Sequence, residues 1–137
     1  MKRLVLMAAL LACCAPVFAQ APAAGACPQP SEVMQAHMLG LWRAEFEDRG
    51  PGATLLLERH PDYAESLSGA VNRGGERRQL AGDVEDGDLT LEESADGVHI
   101  AAIWVGELVE GSCGREVRGT WKAEGAAGER YFVLRKQ

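Results

Sequence analysis

Leu67-Ser68-Gly69-Ala70-Val71-Asn72-Arg73-Gly74-Gly75-Glu76-Arg77-Arg78-Gln79-Leu80-Ala81-Gly82-Asp83-Val84-Glu85-Asp86-Gly87-Asp88-Leu89-Thr90-Leu91 is the stretch that decides the fold. Apolar and small residues alternate with polar ones at Leu67, Gly69 and Val71, at Leu80, Gly82 and Val84, and at Leu89 and Leu91. A period of two is the mark of a half-buried strand, because successive side chains leave a strand on opposite faces. Gly74-Gly75 and Asp86-Gly87 stand between the runs. Such pairs supply the positive φ that two-residue hairpin turns require. Three consecutive strands joined by tight turns are a meander. The L-x-G-x-V pattern occurs twice here, and Val117-Arg118-Gly119-Thr120-Trp121 is a looser third copy. Glycine weakens a strand, so its place here asks for close approach of another group or a sharp bend. A glycine that leaves room for a ligand is the functional alternative.

The same period runs outward in both directions. Trp42, Ala44 and Phe46 share a face, then Leu55 and Leu57; later come Val98, Ile100, Ala102 and Trp104, then Val117, Gly119 and Trp121, then Tyr131 to Leu134. The spacing predicts strands over 39–48, 53–59, 64–73, 76–85, 88–95, 98–106, 113–124 and 129–136. Before them, Ser31 to Leu39 reads as a short helix with Ser31 as N-cap. The fold class is therefore all-β: an eight-stranded antiparallel up-and-down barrel preceded by a short N-terminal helix. Closure removes the exposed sheet edges that an open meander would leave.

The first residues read as an address. Lys2 and Arg3 precede an uncharged apolar run from Leu4 to Ala12, and Val17-Phe18-Ala19 has the small residues of a cleavage site. This is the three-part pattern of a secretory signal peptide over 1–19. Pro16 interrupts the run before the ~20 apolar residues of a spanning helix, so no transmembrane span is expected. Residues 20–30 follow as a flexible Ala/Pro-rich leader, and 31–137 form one domain. The expected location is periplasmic or secreted. Leu10-Leu11-Ala12-Cys13 also resembles a bacterial lipobox, which makes a lipid anchor on Cys13 the minority alternative.

Cleavage would remove Cys13 and Cys14, leaving Cys27 and Cys113. An even pair in an oxidising compartment reads as a disulfide. All 20 Asp and Glu lie after the signal, together with 12 of the 14 Lys and Arg. This acidity argues against nucleic acid, whose binding rests on neutralising phosphates.

Gly40-Leu41-Trp42 opens the first strand after the short helix, with seven more short strands following. This arrangement resembles the calycin barrels, the group of the lipocalins and avidins. The resemblance implies that Trp42 closes one barrel end and that a basic side chain from a late strand packs across it, a role open to Arg135 or Arg118. Arg43-Ala44-Glu45-Phe46 departs from the avidin pattern, so the resemblance carries the fold and not biotin binding.

Little in the chain suggests chemistry. His60-Pro61-Asp62 reads as a turn, and Ser66 and Ser68 lack a nucleophile elbow. His37, His60 and His99 are scattered, and Asp83, Glu85, Asp86 and Asp88 lack the spacing of a calcium loop. No catalytic residue, metal site or cofactor is expected. An eight-stranded barrel is just wide enough to be filled by side chains or to hold one small ligand. The leading expectation is an exported, non-catalytic bacterial barrel that binds a small apolar or amphipathic ligand in a lumen lined by Trp42, Phe46, Trp104 and Trp121. The alternative is a periplasmic protein-interaction module, an inhibitor or envelope assembly factor, with a filled barrel. Its contact surface would use the Leu108-Val109 loop or the outer face of the sixth strand, where Ile103 and Val105 are also apolar. A tethered N-terminal segment, a partner protein or a second copy in a homodimer would then cover that face.

Overall fold

The structure, a computed structural model, describes residues 26–137. The signal segment, Cys13, Cys14 and the first part of the leader lie outside the described residues. Eight strands follow in order: β1 Gly40–Phe46, β2 Ala53–Arg59, β3 Leu67–Arg73, β4 Glu76–Glu85, β5 Asp88–Ser94, β6 Ala102–Leu108, β7 Glu116–Ala123 and β8 Arg130–Lys136. Each pairs antiparallel with the next, and β8 returns to β1 with Ala44 opposite Leu134 and Phe46 opposite Phe132, so the barrel closes. The up-and-down barrel read from the period of two is the observed architecture.

Inward positions follow that period. Trp42, Ala44, Leu55, Leu57, Leu67, Leu91, Trp104, Val117, Phe132 and Leu134 are buried. The repeated glycines mark close approach of neighbouring backbone. A Cβ on Gly69, Gly82 or Gly119 would collide with the carbonyl oxygen of Leu56, Thr90 or Val105 on the adjoining strand. That is the structural reason for L-x-G-x-V.

Three local expectations need correction. The predicted helix over 31–39 is a 3-10 turn, Pro30–Glu32, followed by one α-helical turn, α1, Gln35–Met38. Val33 between them is extended, and Ser31 lies inside the first turn instead of capping a helix. Side chains cap both pieces locally: the Glu32 carboxylate accepts the Gln29 N–H at 2.8 Å, and His37 Nδ1 accepts the Met34 N–H at 3.0 Å. The sixth strand begins at Ala102, not at 98. The Asp96 carboxylate accepts the N–H groups of Val98 and His99, each at 2.8 Å, which holds them in a loop. A short acidic side chain that bonds the backbone two or three residues on competes directly with the sheet ladder. Val98 and Ile100 are exposed in consequence. Leu108 ends β6 as a buried core residue, so the Leu108-Val109 step is not an exposed contact loop.

The expected disulfide is present. Cys27 bonds Cys113 in the β6–β7 loop. Cross-linking residues so far apart removes loop entropy worth on the order of 4 kcal/mol from the unfolded chain. The bond holds the N-terminal segment across the barrel end to which β1 opens, here the lower end. There Pro30 sits over Gly87, and Val33 packs against Gly114. Buried Gln35 donates from Nε2 to the Ala64 carbonyl at 3.1 Å and accepts from Arg59 Nη1 at 2.8 Å.

Candidate functional site

The four aromatic residues expected to line the lumen divide between the two ends. Trp42 stands at the lower end, fully buried, with its Nε1 donating to the Met38 carbonyl at 2.7 Å. The basic group across it is neither Arg135 nor Arg118. Lys136, on the inward parity of β8, holds its Nζ 5.9 Å from the Trp42 ring and donates to the His37 carbonyl at 2.6 Å. Burial pushes the Lys136 amine below its ordinary pKa, with Arg115 adding to the effect. Arg135 has the outward parity and pairs with Glu45 at 3.1 Å; Arg118 is also on the outside, 2.8 Å from Glu116.

Phe46, Trp104 and Trp121 do come together, at the upper end. Phe46 lies 5.8 Å from Trp104 and 6.2 Å from Trp121, and the two indoles are 6.4 Å apart. Phe132, not singled out from the sequence, completes the group at 5.1 Å from Trp104. Offset and edge-on aromatic contacts at such distances are attractive beyond their burial.

A buried carboxylate organises this cluster. Glu93, on β5, has no solvent exposure. Its Oε2 accepts the Trp104 Nε1–H at 3.1 Å and the Trp121 Nε1–H at 3.0 Å. Arg73 brings a fork to it, Nη2 at 2.8 Å from Oε1 and Nη1 at 3.3 Å from Oε2. Arg78 Nε stands 3.7 Å from the same carboxylate. Burial by itself would raise the Glu93 pKa. The Arg73 fork and the indole donors outweigh it and hold the group below the ordinary glutamate value, as an anion.

Arginines also cover the aromatic group. Arg73 lies 4.6 Å from the Trp121 ring centre, and Arg130 lies 3.8 Å from that of Phe46. Asp48, in the β1–β2 turn, latches Arg130 at 2.6 Å. Its own pKa is lowered to about 2 by the Arg130 hydrogen bond and the Gly50 N–H. Among the described residues no buried side-chain nitrogen or oxygen lacks a partner. The arrangement is a saturated polar network that ties β3, β4, β5, β6 and β7 together.

Glu93, Arg73, Arg78 and Arg130 escaped the sequence reading. Their parity was visible, since each continues the inward face of its strand, as Glu93 follows Leu89 and Leu91. What hid them was the expectation that inward positions are apolar.

The remaining candidates stay apart. His60 Nδ1 accepts the Asp62 N–H at 3.1 Å and the Tyr63 N–H at 3.2 Å, which makes it a turn residue. Ser66 Oγ donates to Asp83, and Ser68 Oγ to the Arg59 carbonyl. Among the described residues no three His, Cys, Asp or Glu side chains group as metal ligands, and no helix is long and apolar enough to cross a membrane.

Five cavities have volumes of about 210 to 550 Å³, and none of the five is lined by Trp42, Phe46, Trp104 or Trp121. The largest, about 550 Å³, is a groove over the outer face of β6 and β7. Ile103, Val105 and Thr120 form its floor, Ile100 one wall, and the β7–β8 turn with Glu124 and Glu129 another. Ile103 is 39% exposed and Val105 50%. The described N-terminal segment crosses the lower end and leaves this face bare. Neither known protein families nor curated protein sequences yield a match to this chain.

Proposed function

We propose that this chain is an exported, non-catalytic calycin-like barrel that works outside the cytoplasm by docking a protein on the outer face of β6 and β7. The observation that carries the reading is the contrast between the two surfaces of β6. Its inner residue Trp104 is fully buried, with its indole N–H bonded to Glu93. Its outer residues Ile103 and Val105 are bare, with Ile100 beside them. Exposed apolar patches rimmed by polar residues are characteristic of contact sites.

A small apolar ligand at the upper end would have to part Phe46, Trp104 and Trp121, which already pack on one another, with both indoles bonded to Glu93. The calycin likeness is supported by Gly40-Leu41-Trp42 at the entrance of β1 and by the cation of Lys136 across the tryptophan. That likeness concerns fold and leaves function to the site.

Native mass spectrometry of the exported protein, isolated from its own cell envelope, tests the reading. The expected result is a bound protein that is lost in the Ile103→Ser/Val105→Ser variant, whose changes lie on the surface and leave the core intact. A small apolar molecule retained by both forms, with no protein partner, would overturn it in favour of the lumen.

A further inference from the structure

We propose that the occupant of the β6–β7 groove is a basic segment of a partner protein, extended and alternating apolar with cationic side chains; this rests on the reading of that face as a contact surface. Closure of the barrel leaves β6 paired with β5 and β7 on both sides. A partner therefore cannot add a strand to a sheet edge, and recognition must run through side chains. The groove's volume falls within the ~300–1,000 Å³ of sites that hold a ligand or a short segment.

The charges around the floor select the partner. Glu92 is paired across the sheet with Ile103, Glu107 follows Val105 two residues on, and Glu124 and Glu129 stand on the upper wall. None of these four carboxylates has an ion pair among the described residues. Among the described residues Lys122 is the one cation lining the groove. Arg118 is already held by Glu116 at 2.8 Å, and His99 by Asp96 at 2.7 Å. An apolar floor inside an acidic rim attracts a segment with apolar residues on one side and lysine or arginine beside them. A second copy fits poorly, because residues 26–137 carry 20 acidic against 12 basic side chains and would set like charge against like.

The test is an NMR titration of the exported protein, disulfide intact, with three capped nonapeptides that alternate valine with lysine, serine or glutamate. The lysine peptide is expected to shift the amide signals of Ile103, Val105, Thr120 and Gly125. It should bind at least ~10-fold more tightly than the serine peptide and weaken ~5-fold or more between 50 and 300 mM salt, as screening shortens the reach of the rim charges. The Glu124→Gln/Glu129→Gln variant should lose ~5-fold or more in affinity with an unchanged unfolding midpoint, because both side chains are exposed and unpaired.

Equal binding of the lysine and serine peptides at these residues would overturn the basic-partner inference and leave the contact face standing. A lysine peptide that shifts only the acidic Asp83–Asp88 turn would overturn it as non-specific attraction. A face that none of the peptides touches would overturn it as well. The contact face itself would then be judged by the loss or retention of the native partner in the Ile103→Ser/Val105→Ser variant.

Discussion

Glu93→Gln is the sharpest perturbation of the upper barrel end. The glutamine matches the glutamate in shape but has one oxygen and no charge. If that oxygen takes the place of Oε2, both indole bonds survive. The amide NH₂ then faces Arg73 Nη2, 2.8 Å from the position of Oε1, with Arg78 Nε 3.7 Å from the same atom. Donor meets donor, and Arg73 loses its anion, while Arg78 keeps Glu76 at 2.9 Å. Removing one partner of a buried pair costs about 3–5 kcal/mol. Arg73 and Arg78 keep 17% and 25% exposure and can recover some hydration, which places the loss near the lower figure, about 3 kcal/mol. With a urea slope of roughly 1.5 kcal/mol per molar, the midpoint should fall by about 2 M at pH 7, followed by tryptophan fluorescence.

The pH dependence follows from the lowered Glu93 pKa. A depressed carboxylate contributes stability above its unfolded value and loses it as pH falls through the folded one. The gap between wild type and Glu93→Gln should therefore narrow on acidification. Adding Arg73→Met to Glu93→Gln should cost less than the sum of the two single changes, since each removes the other's stranded partner. A midpoint shift under about 0.5 M, or strict additivity, would refute the view that this carboxylate holds the upper end together.

Three further predictions concern other links in the structure. Cys27→Ser/Cys113→Ser should lose on the order of 4 kcal/mol in denaturant titration, since the bond spans 86 residues of sequence. Trp42→Phe should cost about 1–3 kcal/mol and speed hydrogen exchange in α1, because the Met38 carbonyl loses its indole donor. His99 should titrate above its ordinary 6.5 by NMR, because Asp96 accepts its ring proton and stabilises the cation. The contribution of this pair is complete below the unfolded histidine value and is lost as pH rises through the folded one. Asp96→Asn should return the midpoint toward about 6.5.

Much of the architecture was legible in the chain. The period of two from Leu39 onward, the glycine turns and the paired cysteines named an eight-stranded closed meander with the Cys27–Cys113 bond. These features are local: parity and turn chemistry act within a few residues, so a sequence displays them directly. The differences were local as well, around Val33 and at Asp96, where the side chains of Glu32, His37 and Asp96 bond nearby backbone and break a pattern that hydrophobicity alone would continue.

The site was a different matter. That Trp42 stands at one end and Phe46, Trp104 and Trp121 at the other depends on how eight strands stagger around a closed sheet. Glu93 meets Arg73 from 20 residues away and Trp121 from 28, on strands brought together only by closure. The choice between a filled and an open lumen is a matter of side-chain volume and polar pairing in three dimensions, which one-dimensional parity does not contain. By itself the sequence determined the barrel, its staple and its acidity. The tertiary structure alone decided that inward polar residues find one another at the upper end, and that the described N-terminal segment leaves the outward Ile103 and Val105 uncovered.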